Sequence, residues 1–111
     1  MTGHIPKKGD FVALAFDPQA GHEQRGRRPA LVISNDLFNR HTGLCICCPI
    51  TSAVRDFPFH VRIPDGQKVA GDVMVEQVKS VDFRAREMRR IGRAPDSVVS
   101  EVLALLDAIV Y

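Results

Sequence analysis

Three short stretches of this chain carry side chains able to act on a charged substrate. The first, Gly21-His22-Glu23-Gln24-Arg25-Gly26-Arg27-Arg28-Pro29, gathers an imidazole, a carboxylate and three guanidinium groups. A guanidinium is a fixed cation whose planar fork matches phosphate oxygens. Glu23 is the only carboxylate there and suits proton abstraction, and His22 is a second proton carrier. Arg28 stands directly before Pro29 and an apolar run, so its backbone is tied to the scaffold and its side chain can be aimed. Arg25 and Arg27 have no such anchor in the sequence. A solvated charged loop has the same composition, and composition alone does not separate the two. The second stretch is Pro49-Ile50-Thr51-Ser52, where two hydroxyls end an apolar run. Such hydroxyls could serve chemistry, but Thr and Ser commonly cap turns by bonding nearby backbone groups, and from the residues alone that reading is favoured. The third, Glu76-Gln77-Val78-Lys79-Ser80, alternates polar groups at a strand end and says little by itself.

The charge balance points to the same kind of substrate. Net charge is only +2, but the stretch 95–111 holds Asp96, Glu101 and Asp107 with no Lys or Arg, so the excess of basic groups lies in the first 94 residues. Most of those groups are arginines, which makes a polyanion, nucleic acid first, the expected partner. Cys45, Cys47 and Cys48 are an odd, crowded set that suits reduced thiols filling a core. A zinc site is disfavoured, because neighbouring strand positions point to opposite faces and no further Cys or His pair completes a tetrahedron. No apolar run reaches the roughly 20 residues needed to cross a bilayer, and the N-terminus lacks a signal-peptide pattern, so a cytoplasmic protein is expected.

These groups need a frame, and 111 residues with 45% apolar content fit a single domain, 1–111, with its own core. Apolar runs bounded by turn formers predict strands at 11–16, 30–33 and 44–50. Strict alternation predicts a half-buried strand at 57–63, and Gly71-Asp72 opens a fifth at 73–75 continuing toward Val78. The segment 17–29 reads as an exposed loop. The stretch 80–87 fits either a short helix or a turn, and 88–93 a last strand. Val98, Val102, Leu105, Leu106 and Ile109 fall at helical spacing after Pro95 and Asp96, which predicts a C-terminal amphipathic helix. Short strands followed by one helix suggest a small, curled antiparallel barrel carrying a C-terminal α-helix.

Taken in order, Gly9-Asp10, Phe16-Asp17-Pro18, Gly21-His22-Glu23-Gln24, Arg27-Arg28-Pro29-Ala30, Asn39, Thr42-Gly43, Pro49-Ile50-Thr51, Pro58-Phe59, Gln77-Val78-Lys79-Ser80 and Arg84-Ala85-Arg86 resemble the MazF/PemK-type toxins of bacterial toxin–antitoxin modules. The likeness is greatest to the MazF branch and covers nearly the whole chain. It implies a mainly β, SH3-like fold of the MazF/CcdB type. It also implies a sequence-specific, metal-independent endoribonuclease without cofactor that cuts single-stranded RNA, works as a homodimer and is silenced by a MazE-like antitoxin with an acidic tail. Carried over by position, the family's catalytic arginine falls on Arg28, its threonine on Thr51 and its glutamate on Glu23. His22, Gln24, Arg27, Ser52, Gln77, Lys79 and Arg86 are then expected to bind substrate. Ser52 and Glu76 depart from the pattern where a threonine and an aspartate occur, which bears on base preference. The rival reading is a CcdB-like gyrase poison without nuclease activity, disfavoured by the lack of any Trp.

Overall fold

The computed structural model describes residues 4–15 and 27–111. Its elements are β1 (Asp10–Ala15), β2 (Arg27–Val32), α1 (Asp36–Thr42), β3 (Leu44–Thr51), β4 (His60–Arg62), β5 (Asp72–Met74), a 3-10 turn (Val75–Gln77), β6 (Lys79–Asp82), β7 (Arg89–Arg93) and α2 (Asp96–Val110). Every pairing is antiparallel, and the strands run β4-β5-β3-β2-β1-β7 across one sheet. β6 lies off this path, pairing with the first half of β3 while β5 takes its end. The sheet is curled as expected, and open rather than a closed barrel. A register shift between Phe11 and Val12 on β1 increases the local bend where β7 joins.

Both faces of the sheet are covered, which explains the uninterrupted apolar runs of β1 and β3. On one face Phe11, Leu31, Cys48, Ile50, Val61 and Val73 pack with Val98, Val99 and Val102 of α2. Each fully buried valine contributes roughly 1.5–3 kcal/mol. On the other, Val12, Leu14, Ala30, Val32, Cys45 and Cys47 pack with Val81 and Phe83, with Ile5 and Met88 against them. The helix forms where its spacing predicts, but its buried stripe stops early: Ile109 and Val110 are exposed.

Several elements differ from the sequence expectation. β4 covers only His60–Arg62 of the strand predicted at 57–63, and Phe57 and Phe59 are exposed beyond its start. The strand predicted to run on toward Val78 breaks at the 3-10 turn, and the stretch 80–87, expected as a short helix or a turn, begins instead inside strand β6, which starts at Lys79. α1 fills a stretch between the strands predicted at 30–33 and 44–50 to which the sequence pattern assigns no element. It buries only Asn39, so it carries no apolar stripe to detect. Asn35 caps it by accepting the Phe38 N–H, and Gly43 closes it in the left-handed region at φ 74. The buried Asn39 amide donates to the Pro6 and Ser34 carbonyls and accepts from the Ser34 hydroxyl, joining the N-terminal segment to α1.

Candidate active site

Arg28 lies in β2 and Thr51 ends β3, two strands that pair with each other. Their ladder pairs Ala30 with Pro49, Leu31 with Cys48 and Val32 with Cys47. The ladder ends at Ala30 and Pro49; its register, if extended two residues further, would set Arg28 opposite Thr51 on the same face of the sheet. Both predicted strands are longer than expected here, since Arg27, Arg28 and Pro29 belong to β2 rather than to a loop. Arg28 is exposed and Thr51 half-buried. The Thr51 hydroxyl oxygen accepts the Ala53 N–H at 3.1 Å, so the turn-cap reading of this residue holds. That bond occupies the oxygen as acceptor and leaves the hydroxyl proton available to donate.

The remaining candidates divide. Arg27 is anchored after all: its guanidinium donates to the Ala13 carbonyl, and at 2.8 and 3.2 Å to the carbonyl and carboxylate of Glu87. Glu87 itself sits at φ 52, which this double contact helps to hold. Arg86 donates to the Ala15 carbonyl. Both arginines therefore clamp the end of β1, where Ala15 and Arg27 pair. Lys79 stands opposite Cys47 on the Thr51 face of β3, Gln77 is exposed in the 3-10 turn, and Ser52 is exposed just past β3. His22, Glu23, Gln24 and Arg25 lie outside the described residues.

Sequence reasoning missed a polar network beside Thr51. Thr51 pairs with Asp72 across β3 and β5, and Asp72 is almost fully buried. Its carboxylate accepts from Arg62 Nε and from the Arg55 N–H, with His60 Nδ1 at 3.7 Å. On its other side His60 Nε2 meets a Glu76 carboxylate oxygen at 3.1 Å. The signal was present as His60 and Arg62 in phase on one face of a strand, opposite a lone Asp72, but only the register joins them. Two cavities open here: one of about 230 Å³ against Thr51, Ala53, Arg55, His60, Met74 and Glu76, and one of about 500 Å³ running on from Arg55 and His60 past Phe57 and Arg62.

Burial alone would push the Asp72 carboxyl up, but the hydrogen bonds from Arg62 and Arg55, with the charges of Arg62 and His60, outweigh it and hold it below the ordinary aspartate value. A depressed folded pKa contributes stability that is fully present above the unfolded pKa and lost as pH falls toward the folded one. Urea unfolding of the unaltered chain should therefore lose stability between about pH 5 and about pH 3 that Asp72→Asn does not lose. Parallel acid limbs in the two proteins would disprove this.

The three cysteines are free and buried, as core-fillers. Mutual interaction of the Cys45 and Cys47 thiols pushes the first up and the second down, the lowering of Cys47 overcoming burial with help from the Lys79 and Arg86 charges. Burial pushes Cys48 up to about 12. Among the described residues no group of three His, Cys, Asp or Glu side chains converges to hold a metal, and no helix is long and apolar enough to cross a membrane.

Known proteins resemble this chain over nearly its whole length. The family model of the PemK-like, MazF-like toxin of type II toxin–antitoxin systems matches residues 7–110. The endoribonuclease toxin MazF of Escherichia coli K12 is 39% identical over 108 residues, 97% of this chain and 93% of its own. The endoribonuclease toxin ChpB of the same organism is 43% identical over 112 residues, 94% of this chain and 93% of its own. A MazE–MazF crystal structure from Deinococcus radiodurans superposes with a TM-score of 0.89 at 42% identity, covering 97% of both chains. The gyrase-poison alternative gains no support from these likenesses. With the family model spanning the sheet and both helices, this chain belongs to the PemK-like, MazF-like toxins of type II toxin–antitoxin systems.

Proposed function

We propose that this chain is a toxin endoribonuclease, a single catalytic domain over 1–111 that cuts single-stranded RNA sequence-specifically, without a metal, by attack of the ribose 2′-hydroxyl on its own 3′-phosphate. The observation that supports the reading is the β2–β3 ladder, whose register, extended two residues past its last pair, would bring Arg28 and the capped Thr51 hydroxyl to one face. The reaction needs three things: removal of the 2′-OH proton, stabilisation of the extra charge on phosphorus, and a proton for the departing 5′-oxygen. Glu23 takes the first role. Arg28 holds the phosphorane oxygens and is placed to assist the leaving group, and Thr51 donates to a non-bridging oxygen. Preorganised donors of this kind lower a barrier by several kcal/mol. The P–O5′ bond breaks as P–O2′ forms, leaving a 2′,3′-cyclic phosphate. Lys79 and Arg86 steer the backbone, with Gln24, Ser52, Gln77 and His22 at the bases.

The toxin is read as cytoplasmic and homodimeric, and the apolar end of α2 at Ile109, Val110 and Tyr111 is left exposed by the single chain. Solved relatives from Deinococcus radiodurans are MazE–MazF complexes. Here a MazE-like antitoxin would lay an acidic, disordered tail over the arginine-bearing face and compete with RNA. The direct test is an RNA carrying a single 2′-deoxy nucleotide at the cut position, incubated with EDTA. The all-ribose control should be cut and the substituted RNA left intact. Cleavage of the substituted RNA would overturn the mechanism, and loss of all cutting in EDTA would overturn metal independence.

A further inference from the structure

The cavity against Thr51 contains groups that phosphate chemistry does not need. Glu76 is a carboxylate, which repels phosphate, yet it lines the same 230 Å³ space as Thr51 and Arg55. It is held there. His60 contacts one Glu76 oxygen at 3.1 Å, and the imidazole is itself confined, with only 8% of its side chain exposed. The Phe57 ring packs edge-on to it at 4.8 Å, and the Asp72 carboxylate faces its Nδ1 at 3.7 Å. That Nδ1 is buried without a hydrogen bond. A buried nitrogen is left unsatisfied where other interactions fix the ring, and here they fix Nε2 on Glu76. Glu76 therefore presents its remaining acceptor sites at a set position. Arg55 brings the opposite chemistry. Its backbone is pinned by the N–H bond to Asp72, and no described residue pairs with its guanidinium.

A fixed acceptor pair and a free donor fork around one small cavity describe a hydrogen-bonding template for a planar base. Guanine matches it most fully. Its N1–H and N2–H edge meets a carboxylate, and its O6 and N7 edge meets an arginine fork. Adenine lacks the carbonyl, and uracil offers a single N–H between two acceptors that a carboxylate repels. We propose that this cavity is a guanine-selective subsite beside the scissile phosphate, with Glu76 and Arg55 reading the base and His60 acting as a positioning residue for Glu76. The inference rests on the endoribonuclease reading above and adds which base that activity admits next to the cut.

The experiment uses the full chain and a set of short RNAs identical except at each nucleotide flanking the cut, which carries guanine, inosine, adenine, cytosine or uracil. The unaltered protein should prefer guanine at one flanking position, and inosine, which lacks the N2 amine, should lower kcat/KM there by about tenfold to a hundredfold. Glu76→Gln should cut inosine and guanine RNA alike. His60→Phe, which keeps a ring but removes the Glu76 contact, should lose most of the same discrimination while its urea midpoint is read separately. A partly exposed Glu76 makes the Gln variant safe for folding, so the result does not depend on the buried histidine. Equal cutting of guanine and inosine by the unaltered protein, or discrimination that survives Glu76→Gln, would overturn the subsite while leaving the nuclease intact. A protein that cuts none of the RNAs would overturn the endoribonuclease reading, and the subsite with it.

Discussion

Arg28→Ala should lower kcat/KM for RNA cleavage by about 10²–10³-fold, the loss expected when one preorganised donor to a developing charge is removed. The fold should not notice. Arg28 is exposed and no described residue bonds its side chain, so unfolding free energy should stay within about 0.5 kcal/mol of the unaltered chain. Arg28→Lys should recover little, because an ammonium keeps the charge but not the fork that spans two phosphate oxygens. Thr51 supplies the matching test from the neighbouring strand. Thr51→Val removes both the donor and the acceptor of the Ala53 N–H, so it should cost activity and about 1 kcal/mol of stability, whereas Thr51→Ser restores both. Cutting of a fluorescent RNA in EDTA, beside urea unfolding of each variant, checks these values. Unchanged turnover in the Arg28→Ala, Thr51→Val double variant would remove the basis of the mechanism.

How much of this was legible in the sequence depends on whether a residue announces itself locally. β1, β3 and α2 bury continuous runs or a helical stripe, so their periodicity located them. α1 buries one asparagine and could be found only through its caps, Asn35 and Gly43. β6 buries only Val81 among polar neighbours and borrows its strand character from the first half of β3, a tertiary effect that pattern cannot register. Phe57 and Phe59 alternate correctly yet lie outside the ladder, because β5 is too short to pair that far. The same distinction applies to the site. Arg28 and Thr51 stood at element ends with apolar runs beside them. His60, Asp72 and Glu76 come from separate segments, and nothing in the chain links them until β4, β5 and β3 align. Arg27 seemed unanchored for a like reason: its partner Glu87 is far along the chain.

A glycine holds that alignment together, and replacing it should have the largest effect on stability. Gly71 precedes β5 with φ 121, and a Cβ built there would overlap the Thr51 carbonyl oxygen and crowd the Ser52 backbone. Gly71→Ala must therefore strain its own dihedral and also push the end of β3 away from β5, where Thr51 pairs with Asp72. The dihedral alone costs about 1–3 kcal/mol, and displacing packed backbone brings the total to roughly 3 kcal/mol or more. Gly66 separates the two contributions. It has φ 91 but no atom within 4 Å of a built Cβ, so Gly66→Ala should show the dihedral cost alone. Urea unfolding should rank Gly71→Ala well below Gly66→Ala. Activity per folded molecule should fall only in the Gly71 variant, because only there does the carbonyl of the hydroxyl-bearing residue move. Equal destabilisation by the two substitutions would mean that the Thr51 strand end is not fixed by this contact, and the aim of its hydroxyl would need another cause.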